Sequence, residues 1–257
     1  MTRSLDLSPA PGSASLAAQV MAQARMEFRL ILRNGEQLLL ALVIPVIVLV
    51  GGVAAADRVG LDFDRPVIDV LAPGVLALAV MSTAFTSVAI ATGFERRYGL
   101  IKRLGTSPLP RHGLLLGKAG AVLLVELLQI LVLGAVAALL GWEPEASGWP
   151  AAVLVLLLGT TAFTSLGLLI AGTLRAEATL AAANLVYLLL LAGGAVVVPA
   201  DSYGAFADVA AWLPSGALGE GMRAALIDGR LDGGCVLILL GWSVVGATAT
   251  ARTFTWE

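Results

Sequence analysis

The 257-residue chain is 58% hydrophobic and only 13% charged, with a mean hydropathy of +0.92. An average soluble domain is about 45–50% apolar and about 25% charged, so most soluble folds are excluded. The formal net charge of −2 supplies no basic field for nucleic acid, and the one cysteine, Cys235, has no partner for an internal disulfide.

In chain order, residues 1–14 are rich in Ser, Pro and Ala and read as a disordered tail. The first 36 residues contain no hydrophobic stretch, so no cleavable secretory signal is expected. Within 15–36, "LAAQVMAQARMEFRLILRN" (16–34) has helical character. Arg25, Arg29 and Arg33 recur every four residues on one face, with Met26 and Leu30 among the apolar remainder. That pattern predicts a helix lying along the inner leaflet, and an ordinary cytosolic helix packed on a bundle would share it.

Six apolar stretches follow, at about 37–56, 70–92, 114–141, 150–174, 179–199 and 234–251. A bilayer core about 30 Å thick needs roughly 20 helical residues. The runs are continuous rather than alternating, which argues for helices over a barrel. The expected fold is therefore an all-α integral membrane protein, with six transmembrane helices within 37–257. With the N-terminus inside, twelve Lys and Arg fall on the inner side and only Arg58, Arg65, Arg223 and Arg230 outside. The positive-inside rule then puts both termini in the cytoplasm of a multi-pass plasma-membrane protein.

Between the second and third stretches, "GFERRYGLIKRLGTSPLPRHGLLLGK" (93–118) gathers six of the sixteen Lys and Arg residues. A solvated loop and a cytoplasmic docking surface both fit that composition. Phe94–Leu104 predicts a short helix with Glu95, Arg96, Arg97, Lys102 and Arg103 exposed, ended by "GTSPLP" (105–110). His112 has no carboxylate or cysteine nearby to make a metal or catalytic set. "GLLLGKA" (113–119) imitates a phosphate-binding loop but is one residue short and ends in Ala119.

Inside the spans, Glu126 and Gln129 share a helical face. A central carboxylate costs about 2.5–3.5 kcal/mol, so it faces protein or water. Glu126 either lines a translocation pathway with Gln129, Asn184 and Tyr187, or makes an interhelical hydrogen bond to Asn184 or Tyr187. The threonines and serines near 83–87 and 160–165 read as helix-packing contacts. Before the last span, "WLPSGALGEGMRAALIDGR" (212–230) is too polar to cross and too apolar for a free loop. It predicts either a helical hairpin dipping into the outer leaflet or a surface helix pair.

The segment "FERRYGLIKRLGTSPLPRHGLLLGK" resembles the characteristic stretch of ABC-2 type permeases, the membrane subunits of ATP-driven exporters. Glu95, Gly99, Lys102, Arg103, Leu104, Thr106, Pro108, Leu109, Gly117 and Lys118 match in order and spacing. "WLPSGALGEGMRAAL" (212–226) is similar to the family's external segment through Leu213, Pro214 and Arg223, with Leu213 where the family usually has Asn. The resemblance implies that Glu95, Arg96, Arg97, Gly99, Lys102, Arg103, Thr106 and Pro108 form a coupling surface for a cytosolic ATPase dimer. ATP and Mg would be bound by that partner, leaving this chain without a cofactor or enzymatic role. A second permease chain, identical or related, is expected to complete the pathway within the lipid bilayer. The cargo is expected to be an amphipathic or hydrophobic compound, such as a drug or antibiotic, with polysaccharide or lipid-linked material as the alternative. An ATPase-independent carrier would want more intramembrane charge than this chain offers.

Overall fold

The computed structural model describes residues 14–33, 35–59, 63–100 and 110–253, the side chains at 36–40, 57, 59, 111, 112 and 115 apart. The predicted disordered tail falls largely on 1–13, and Lys102, Arg103, Thr106 and Pro108 fall on 101–109. Both stretches lie outside the described residues. Ten α-helices are described: α1 (Leu16–Arg33), α2 (Gly35–Val59), α3 (Val67–Met81), α4 (Val88–Arg97), α5 (Arg111–Leu139), α6 (Trp149–Thr173), α7 (Ala176–Gly193), α8 (Ala207–Trp212), α9 (Pro214–Leu226) and α10 (Gly233–Thr253). No strand occurs among the described residues. The chain is an all-α membrane protein. Five rods are long and apolar enough to cross a bilayer: Val67–Arg97, Leu116–Leu139, Ala146–Thr173, Ala176–Gly193 and Gly233–Thr253. The apolar part of α2, Ala41–Ala56, is shorter.

The first of these rods is α3 and α4 joined through a π-helical turn at Ser82–Ser87. It is the centre of the bundle, because α3 is buried from Val70 through Met81 and packs against α2, α5, α6 and α9. A helix apolar on every face must be covered all round by protein or lipid. α3 is covered by protein. By contrast α5, α7 and α10 turn Leu131, Leu188, Leu189, Leu237 and Val244 outward.

The most extensive pairing is α6 with α10. Small and hydroxylated residues allow it: Thr161 and Ser243 share a hydrogen bond at 3.1 Å, and Thr250 Oγ1 donates to the Ser165 carbonyl at 2.9 Å. α1 lies along α5 with Gln23 and Ala24 buried. Gly117 of α5 makes that approach possible, since a Cβ there would fall 2.6 Å from Gln23 Cγ. The opposite side of α1 exposes Arg25, Arg29 and Arg33 beside Met21, Met26 and Leu30. α1 is thus packed on the bundle and also presents a basic, apolar outer face.

Three local expectations are corrected. A helix from Phe94 to Leu104 does not form as one piece: α4 stops at Arg97, and Gly99 takes the left-handed conformation (φ 66°) that ends it. The fifth apolar stretch is not helical to 199, because α7 ends at Gly193 and residues 194–199 are irregular, with Ala195 at φ 51°. The helical hairpin before the last span is not a surface pair. Its second arm, α9, is buried along almost its whole length between α3, α6 and α10.

Candidate functional site

The end of α4 carries three consecutive charged residues, and each reaches a different helix. Glu95 accepts from Lys118 Nζ of α5 at 2.7 Å. Lys118 also pairs with Glu27 of α1 at 3.5 Å, and Gln23 Nε2 donates to Glu27 Oε1 at 2.7 Å. Burial pushes the Glu27 carboxyl above the usual carboxylate range, with the Lys118 ammonium opposing that shift. Arg96 donates to the carbonyl of Ala171 and, at 3.3 Å, to that of Leu174. Those are carbonyls of the last turn of α6, which the helix itself leaves without partners. Arg97 pairs with Glu177 in the first turn of α7 and sits 5.9 Å from the Tyr98 ring.

This placement differs from the expected row of exposed charges. Glu95 and Arg96 are half-buried and spent on internal contacts, while Arg97 is exposed. The partners Glu27, Lys118 and Glu177 carried no role in the sequence reading. A signal did exist in the Gly117–Lys118 pair, whose glycine admits α1 and whose lysine ties it to α4.

Deeper in the bundle, Glu126 and Gln129 are each 1% exposed. Thr160 Oγ1 of α6 donates to Glu126 Oε2 at 2.8 Å. Gln129 accepts from Thr83 Oγ1 and donates to the Ala41 carbonyl, both at 2.9 Å. It therefore joins α5 to the π-helical turn and to α2. A π turn alters which side chains face a neighbour, and here it brings Thr83 to Gln129. The expected hydrogen-bond partners of Glu126 are replaced by Thr160: Asn184 is exposed on α7, and Tyr187 is half-buried on the same helix. Glu126 and Gln129 are thus tied to Thr160, Thr83 and the Ala41 carbonyl.

At the other end of the bundle, Pro214 opens α9, where its missing N–H costs nothing. Arg223, 5% exposed, donates to the carbonyls of Ala195 (3.0 Å), Val196 (3.2 Å) and Val197 (3.2 Å) and pairs with Glu220 at 3.0 Å. Glu220 in turn accepts from the Ala200 amide at 2.9 Å. One guanidinium fork thereby satisfies the irregular backbone that follows α7, which could not otherwise lie against apolar helices. Gly219 lets the segment close in, since a Cβ there would sit 2.5 Å from the Val196 carbonyl.

Among the described residues, no group of three or more His, Cys, Asp or Glu is placed to hold a metal ion. Apolar rods, interior polar ties and a buried hairpin define a polytopic membrane protein. A family model described as ABC-2 type transporter matches residues 18–227, and the chain belongs to that family. It is the permease component of an ABC transporter, a class that generally works with an ATPase subunit. No curated protein matches the chain.

Proposed function

We propose that this permease belongs to an exporter that moves an amphipathic or hydrophobic compound outward across the plasma membrane. A cytosolic ATPase dimer holds ATP and Mg and drives it. Two permease chains, identical or related, surround the path, and both termini are cytoplasmic. The coupling segment comprises Glu95, Arg96, Arg97, Gly99, Lys102, Arg103, Thr106 and Pro108.

The observation supporting this reading is the fan of contacts from Glu95, Arg96 and Arg97 to α5, α6 and α7. A push on the chain just beyond Gly99 is delivered to three spans at once. Rigid elements with alternative arrangements are the physical basis of such switching. The test is co-expression with a candidate cytosolic ABC ATPase subunit, followed by ATP-dependent transport in vesicles. Arg96→Gln should still co-purify with the ATPase yet lose at least about tenfold in transport, because the segment docks but no longer grips α6. Unchanged transport by that variant, or robust ATP hydrolysis by the permease alone, would overturn the assignment.

A further inference from the structure

A cleft of about 360 Å³ opens between α1, α4 with its π-helical turn, and α5. That is within the size range of small-molecule sites. Ile31, Val88 and Val122 contribute apolar walls, and among the described residues the charged lining is Glu27, Glu95 and Lys118. Among the described residues, two carboxylates against one ammonium leave the lining with an excess negative charge. Lys118 is already engaged by both carboxylates. Glu95 still keeps Oε2 without a partner. Independently, Thr92 also lines the cleft, is only 2% exposed, and has an unpartnered Oγ1. Buried polar atoms are nearly always hydrogen-bonded, so two orphans on one cleft mark a place for a donor.

We propose that this cleft binds the primary ammonium group of an alkyl amine, with its hydrocarbon tail along the α4–α5 wall. An anion would meet the uncompensated carboxylate. A neutral alcohol brings one N–H or O–H donor at most, whereas a primary ammonium brings three and a charge. A quaternary ammonium brings the charge but no donor for Glu95 or Thr92. The proposal deepens the exporter reading by naming a cargo chemistry, and rests on that reading only for calling the ligand cargo. The same head group occurs on a free amphiphile and on an ethanolamine phospholipid.

The test uses the full chain in phosphatidylcholine nanodiscs and a decylamine bearing a photoactivated diazirine, beside the matching decanol and decanoate. Peptides covering 83–95 and 118–122 should be labelled at least tenfold more by the amine than by either analogue, relative to labelling of α10. Excess plain decylamine should compete. Ala91→Leu, which fills the cleft from an exposed position of α4, should abolish the labelling without moving the thermal midpoint. Thr92→Val should lower it several-fold. Adding phosphatidylethanolamine suppresses labelling if the lipid is the natural occupant and leaves it unchanged if a free amphiphile is, and either result supports an ammonium site. Equal labelling by the three head groups, or amine labelling indifferent to Ala91→Leu, would overturn the proposal. Co-purification and ATP-dependent transport measured on the same preparation keep the two readings separate. Head-group-blind labelling with intact coupling sinks the cleft alone, whereas selective labelling without an ATPase partner sinks the exporter.

Discussion

Replacing Lys118 with methionine keeps the volume of the side chain but leaves Glu27 and Glu95 without the cation between them. Breaking a buried ion pair by removing one partner costs about 3–5 kcal/mol, and an exposed pair is worth about 0.2–1 kcal/mol. The three side chains are 14%, 17% and 20% exposed, which places the expected loss between these limits, at about 2–3 kcal/mol. For a chain of this size each kcal/mol moves the midpoint by about 2–4 °C, giving a drop of about 4–12 °C. The assay is the temperature at which half the detergent-purified protein remains monodisperse by size exclusion. The triple variant Glu27→Gln/Lys118→Met/Glu95→Gln removes the uncompensated charge as well and should recover to within about 3 °C of wild type. A pH dependence follows with a definite sign. Burial already raises the Glu27 carboxyl and Lys118 opposes it. Without Lys118 the folded state therefore binds a proton more readily than the unfolded one. That contribution to stability is present at low pH and is lost as pH rises through the folded value. The Lys118→Met deficit should accordingly shrink on going from about pH 8 to about pH 5. A wild-type midpoint for Lys118→Met, or a deficit that grows on acidification, would refute the account of this triad.

Arg223→Met should cost about 3–5 kcal/mol, because three carbonyls and Glu220 lose their donor together. Arg223→Lys should fall in between, since an ammonium cannot reproduce the planar fork, and a thermal midpoint for Arg223→Met within about 2 °C of wild type contradicts the clamp. Glu126→Gln keeps an oxygen for Thr160 while removing a carboxylate that costs about 2.5–3.5 kcal/mol at a helix centre. Its yield of folded protein should equal or exceed wild type, and a fall in yield would show that the charge itself is required.

The all-α membrane class was legible because burial in a bilayer demands long apolar runs, and those survive any choice of neighbours. Of the six expected spans, five are long enough to cross and the first, Ala41–Ala56, is shorter. The tie between Glu126 and Thr160 was half legible. A carboxylate in a span must find a partner, but which helix supplies it depends on packing that periodicity does not encode. The end of α7 was misread for a related reason. "AVVVPA" is as apolar as a helix, and only the distant Arg223 and Glu220 make its open backbone tolerable. Glu95 was misread because a charge at a span's end looks solvated until α1 is folded back over Lys118. Such long-range partners leave no local trace beyond the glycine that makes room for them.

The Arg223 clamp also sets an order of events during synthesis. The carbonyls of Ala195, Val196 and Val197 leave the ribosome 26–28 residues ahead of the side chain that satisfies them. At about 5–20 residues per second that is a delay of roughly 1–6 s. Throughout it the C-terminal end of α7 must stay wet, because an unpaired carbonyl cannot wait in hydrocarbon. α9 then arrives as the element that closes the seam, and α10 follows to pack over it. The bundle around α3 is therefore completed late and from the hairpin end, with the nascent chain held open by its own unfinished backbone.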